Sequence, residues 1–145
     1  MNSMDARADR TALLDQLDTL LSRIVDVLTR GLSQMVRGRV SVPQFFVLRV
    51  LRDRGKSSIS QVAANLQITP SAVTYLADGL VRGGLVERVR DENDRRVVWL
   101  EMTGKGLELV RDLEKRRRGE MQRITSPLST DELEALVRIL ARLKR

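Results

Sequence analysis

A chain of 145 residues with 42% hydrophobic side chains can bury a core, but 3% aromatics leaves that core to Leu, Val and Ile, which favours packed helices over a sandwich. There is no Cys and no His, which excludes a disulfide framework, a Cys/His zinc site, a thiol redox sensor and any reaction using either residue as nucleophile or base. The net charge of +7 suits a polyanionic partner without locating a face, because the excess is spread along the chain and is largest in residues 103–145, with eleven bases against seven acids.

Residues 9–36 predict a long helix, since Leu13, Leu14, Leu17, Leu20, Leu21, Ile24, Val25, Leu28 and Leu32 recur at three- and four-residue spacing. Such a helix spans about 42 Å at 1.5 Å per residue. That is longer than a small domain needs, so its apolar stripe calls for a second surface, either another arm of the chain or a partner subunit. Ser41 then opens a helix with Gln44 at capping-box spacing and Pro43 in the first turn. Phe45, Phe46, Leu48, Val50 and Leu51 supply its apolar face as far as Gly55. Ser58 and Gln61 repeat the capping box, and a short helix follows with Ile59, Val62, Ala63 and Leu66 inward. After Gln67-Ile68, Thr69 is an N-cap and Pro70 takes the first helical position. The new helix turns Val73, Leu76, Leu80 and Val81 inward and stops at Gly83-Gly84. Two short helices joined by a tight turn, the second capped, form a helix-turn-helix. A plain helical hairpin in a bundle is the competing reading.

The period changes over residues 85–102. Val86-Glu87-Arg88-Val89-Arg90 alternates in polarity, Asp91-Glu92-Asn93-Asp94 is turn material, and Arg95 to Met102 reads as a second strand with Val98, Leu100 and Met102 toward the core. An isolated hairpin is marginal, so this one must pack on the helices as a wing. Thr103 caps a long helix over 104–124, marked by Leu107, Val110, Leu113, Met121 and Ile124, and Pro127 breaks the chain. Ser129 and Glu132 form a third capping box before a last helix carrying Leu133, Leu136, Val137, Leu140 and Leu143. The fold class is therefore mainly α with a small β-hairpin wing. Residues 1–145 read as a single domain, with a winged helix-turn-helix lobe at 41–102 and helical dimerisation segments at 9–36 and 104–145. The alternative is that these outer helices cover one another within a monomer.

Four segments in register carry a resemblance to a known family. They are Val42-Pro43-Gln44-Phe45-Phe46-Val47-Leu48; Ile59-Ser60-Gln61-Val62-Ala63 with Leu66; Ser71-Ala72-Val73-Thr74-Tyr75-Leu76 followed by Gly84-Leu85-Val86-Glu87-Arg88; and Asp91 with Asp94-Arg95-Arg96, then Thr103-Gly104-Lys105-Gly106. Together they resemble the MarR (multiple antibiotic resistance regulator) family of bacterial transcription factors. The resemblance implies an obligate, triangular dimer with both chain ends paired at the apex and two winged lobes at the base. It implies a regulator, most often a repressor, that in many members releases DNA when a small phenolic or anionic ligand binds. Two positions depart from the family pattern. Glu92 follows Asp91 where Pro is common, and the exposed positions of the reading helix are Pro70, Ser71, Ala72, Thr74 and Tyr75, without the usual Arg or Lys.

With that resemblance, double-stranded DNA is the expected partner and a homodimer the expected state. Ala72 can meet a thymine methyl, Ser71 and Thr74 can bond base edges or phosphates, Tyr75 can contact a phosphate or sugar, and Thr69 leads a helix N-terminus that favours phosphate. Arg95 is expected in the minor groove, and Arg88, Arg90 and Arg96 on phosphate or supporting the wing. Asp94 and Asp91 are expected to hold an Arg in place. A charged but inert hairpin turn is the competing reading of Asp94-Arg95-Arg96. The run Lys115-Arg116-Arg117-Arg118 reads as a solvated helix face. A small-molecule effector pocket is expected where the arms meet the lobe, with Met35, Arg37, Phe45 and Phe46 as walls or core.

Catalysis is not expected. Asp15, Asp18 and Asp26 on the first helix read as a solvated face, and no phosphate loop, metal motif or cofactor motif is present. No run approaches the ~20 apolar residues of a membrane span, and the N-terminal segment has no apolar stretch of a signal peptide, so the cytoplasm is the expected location. The rival function is a winged-helix protein-interaction module without specific DNA binding.

Overall fold

The computed structural model describes residues 3–94 and 96–143. The chain runs α1 (Ser3–Val36), α2 (Val42–Arg54), β1 (Ser57–Ser58), α3 (Ile59–Leu66), α4 (Pro70–Arg82), β2 (Val86–Arg90), β3 (Val98–Met102), α5 (Gly104–Thr125) and α6 (Thr130–Leu143). The fold is mainly helical with a small antiparallel sheet, as the periodicities predict.

Each boundary has a local cause. Ser41 and Ser58 close reciprocal capping boxes with Gln44 and Gln61, satisfying N–H groups that a helix start leaves free. Ser129 and Glu132 do the same ahead of α6. Thr69 accepts from the Ala72 N–H, and Thr103 from that of Gly106. Gln67, in the left-handed region at φ 55°, makes the sharp turn between α3 and α4. Gly84, at φ 69°, lets the chain leave α4 for β2, a backbone conformation that costs a side-chain-bearing residue energy.

The main core is shared by α2, α3, α4, β2, β3 and α5. Val47, Leu48, Val62, Val73, Ala77, Leu80, Leu100 and Val110 are fully buried in it. Val110 belongs to α5, so the core reaches past the second wing strand into the following helix. A smaller cluster of Val36, Phe45 and Leu113 fastens the end of α1 to α2 and α5.

The sheet differs from the expected hairpin in two ways. It has three strands in the order β1-β3-β2, because Ser57 and Ser58 pair with Leu100 and Trp99 on the other side of β3. Two serines before a capping box carry no strand signal of their own, and the pairing exists only because β3 lies beside them. The second wing strand also begins at Val98 rather than Arg95, since the Val97 N–H turns back to the Asp94 carbonyl (2.9 Å). Leu100 faces the core and Met102 packs against it.

The outer helices do not cover themselves. From residue 9 to residue 30 every position of α1 is exposed, including Leu13, Leu17, Leu20, Ile24 and Leu28. The last helix, α6, has no buried residue although Leu133, Leu136, Val137, Ile139, Leu140 and Leu143 lie on it.

Candidate nucleic-acid interface

The reading helix α4 is anchored from behind and open in front. Val73, Ala77 and Leu80 are fully buried. On the other side Ser71 and Thr74 are exposed, Tyr75 is 76% exposed, and Ala72 is half-buried at the edge. Thr69 keeps its hydroxyl on the helix start, and the Thr74 hydroxyl donates to the Pro70 carbonyl (3.0 Å), leaving its oxygen lone pairs outward. The first turn carries no acid, so the partial positive end of the helix is not neutralised.

The wing stands beside this helix. Its strands pair Val86 with Met102 through Arg90 with Val98. Arg88 is not free: its guanidinium pairs with Asp78 of α4 at 2.5 Å, which fastens the wing strand to the reading helix. Arg90 is exposed. Asp94 holds Arg96, accepting from its backbone N–H (3.0 Å) and its Nε (3.1 Å), and the Arg96 side chain is still 93% exposed. Arg95 lies outside the described residues. Asp91 departs from expectation, for its partner is no arginine. One of its oxygens accepts from the backbone N–H groups of Asn93 and Asp94 (both 2.9 Å), and the other from the indole N–H of Trp99 (2.8 Å). These bonds, that of Trp99 first, hold the Asp91 carboxyl below its ordinary range.

The four expected effector residues share no single cleft, although Met35 packs against the small cluster that holds Phe45 and the Phe45 and Phe46 ring centres lie 5.9 Å apart. Met35 lines a cleft of about 600 Å³ between α1 and α5, with Leu28, Leu32, Arg116, Arg117 and Met121. Arg37 is exposed just beyond α1, Phe45 is buried in the small core cluster, and Phe46 lines a separate cleft of about 330 Å³ with Arg49 and Asn65. The cleft arginines come from the run that reads as a solvated face. A run of four bases winds round a helix, so one or two must turn toward a neighbour. Burial lowers the Arg117 pKa, and the nearby Arg49 adds to this. Asp112 of α5 holds Arg39 (2.5 Å), and Glu114 pairs with both Arg49 and Arg52, so ion pairs join the long helix to the lobe.

A capped helix-turn-helix whose second helix lies beside a braced β-hairpin defines a winged helix-turn-helix protein. Comparison with known proteins agrees. The MarR family profile matches residues 40–98. The repressor MdtR of Bacillus subtilis is 33% identical over 112 residues, 77% of this chain and 72% of MdtR. A MarR family protein from Bacillus stearothermophilus superposes with a TM-score of 0.81 at 26% identity, over 99% of this chain and 95% of the other. BpsR of Bordetella bronchiseptica, whose DNA binding is regulated by 6-hydroxynicotinic acid, superposes with a TM-score of 0.74 at 26% identity, over 90% and 99%. The chain belongs to the MarR family of helix-turn-helix transcriptional regulators. Among the described residues no helix is long and apolar enough to cross a membrane.

Proposed function

We propose that the protein is a cytoplasmic repressor that binds a pseudo-palindromic operator as a homodimer and leaves it when a small molecule binds. The observation that carries this reading is the exposed start of α4 together with an exposed Arg96 side chain that Asp94 holds on the wing. Thr69, Ser71, Ala72, Thr74 and Tyr75 read the major groove, and Arg90, Arg95 and Arg96 meet the minor groove and phosphates. Arg88 serves DNA indirectly, as the brace between wing and reading helix. The repressor MdtR and the ligand-regulated BpsR support the same assignment.

The chain divides into the lobe at 41–102 and the pairing segments at 9–36 and 104–145. The uncovered apolar faces of α1 and α6 support pairing with a second copy. Two-fold symmetry then sets two α4 helices one DNA turn apart, about 34–36 Å. The α1–α5 cleft, apolar with Arg116 and Arg117 in its wall, suits a small anionic or phenolic effector.

The test is fluorescence anisotropy of the protein on its own upstream intergenic DNA, with unlabelled random competitor, across a salt series. The expected result is binding that survives competitor and weakens steeply with salt. Binding abolished by random DNA favours the second reading, a protein-interaction module. That reading has one observation behind it, the lack of any Lys or Arg among the exposed residues opening α4.

A further inference from the structure

We propose that Trp99 is a positioning residue for DNA recognition: its indole N–H, bonded to Asp91, ties the wing turn that presents Arg96 to the outer face of the sheet. The inference rests on the DNA-binding reading and adds to it how the wing is held.

Trp99 sits in the middle strand, opposite Val89 of β2 and Ser58 of β1. Its neighbour Leu100 faces the core, so by strand alternation Trp99 faces the other way. There the indole covers the sheet, and Lys56, just before β1, sets its Nζ 5.7 Å from the ring centre. The same indole reaches eight residues back along the chain to Asp91 (2.8 Å). Asp91 begins the turn between the wing strands, and its other oxygen already closes the turn on the N–H groups of Asn93 and Asp94. One carboxylate thus collects two donors from the turn and one from the sheet. The low Asp91 pKa agrees with that convergence.

The tie matters because the turn is otherwise weakly held. Within it, Asp91 N–H meets the Val97 carbonyl at 3.1 Å and Val97 N–H meets that of Asp94 at 2.9 Å, bonds internal to the hairpin. They close the turn on itself, while the core and the Arg88–Asp78 pair hold the strands and not the tip. The indole bond reaches from that turn to the strand shared with β1, which leads straight into the cap of α3 at Ser58. The turn is thereby fixed on the sheet before DNA arrives, and the entropy of ordering it is not lost on binding. Indole nitrogen is a donor only, so no water-mediated rearrangement can reverse the polarity of the contact.

The experiment uses the full chain and the variant Trp99→Phe, which keeps an aromatic ring beneath Lys56 and removes the donor. Operator affinity is read by anisotropy and backbone mobility by amide hydrogen exchange. The expected result is an operator Kd raised about tenfold with the salt slope unchanged, since no phosphate contact is removed. The amides of Asn93 and Asp94 exchange faster while those of α3 and α4 keep their protection. A Kd equal to wild type, or amides 93 and 94 as protected as in wild type, overturns the assignment. A wild-type protein without operator preference overturns the DNA-binding reading instead, and the exchange rates then judge the tie alone. Should the variant not fold, the wild-type protein still decides. Its single tryptophan gives one indole N–H resonance, which the tie requires to be protected from exchange.

Discussion

Gly106 shows how little room the winged lobe leaves at its tightest point. It lies in the first turn of α5, where a Cβ would collide with the Leu85 carbonyl oxygen and come within 2.8 Å of Met102 Cγ. The first obstacle is backbone, so it cannot rotate away. Nearby, Thr103 donates to the Gly84 carbonyl (2.7 Å) and Lys105 to that of Gly83 (2.9 Å), so two side chains clamp the start of α5 onto the exit of α4. Gly106→Ala is expected to destabilise the protein by about 2–3 kcal/mol, in the range of overpacked cores. Gly104→Ala, two residues earlier with open space around its Cα, is expected to change stability by less than ~0.5 kcal/mol. Urea unfolding of both variants checks the pair; equal losses would mean that the clash at Gly106 is not what matters.

Among the elements, α1 and α6 carry the expectation of a dimer. Both are apolar along one side, and neither finds cover in its own chain beyond the end of α1. Exposed apolar faces of this extent belong to interfaces, because a monomer keeping them in water would forgo about 25 cal/mol for each Å² left unburied. A homodimer of the 16.4 kDa chain is therefore expected in sedimentation velocity, near twice that mass. Leu20→Glu combined with Leu140→Glu places a charge on each face, and is expected to raise the dimer dissociation constant at least ~100-fold by the cost of burying unpaired carboxylates. The same variant is expected to keep the far-ultraviolet helix signal, since neither leucine contributes to the buried core. A double variant that still sediments as a dimer would remove these helices from the interface.

The whole molecule titrates simply. Without His or Cys, no side chain has an ordinary pKa between the carboxylates and the basic residues and tyrosine. Among the described residues, four carboxyls lie below their ordinary values: Asp91 through Trp99, Asp112 through Arg39, Glu120 through Arg123 and Glu132 through the Ser129 N–H. Each folded pKa is depressed, so the unfolded chain takes up the proton first as pH falls. Their stabilisation is complete above the ordinary values of 3.8 for Asp and 4.5 for Glu, and is lost as pH drops through the lower folded values. The melting temperature is expected to stay level from about pH 8 to about pH 5.5 and to fall below about pH 4.5. A calorimetric series across that range checks this, and a step near neutrality would contradict it.

What the sequence by itself determined was everything local. Each capping box, Thr69 before Pro70, the Gly83-Gly84 stop and the apolar spacing of α1 and α6 act over three or four residues, and the helices lie where those signals place them, except that α1 begins at Ser3, ahead of its apolar stripe, and not at residue 9. The MarR resemblance was legible for the same reason, since its segments are short runs in a fixed order. The tertiary structure alone decided the contacts between residues far apart in the chain. It paired Ser57 and Ser58 with β3, gave Arg88 to Asp78 rather than leaving it free, and turned Asp91 toward Trp99 instead of an arginine. It also took Phe45 into the core and brought Arg117 to the cleft beside Met35. Spacing along a chain says which face of an element a residue occupies. What stands opposite that face depends on how the elements pack, and packing is set by the summed burial of the whole core.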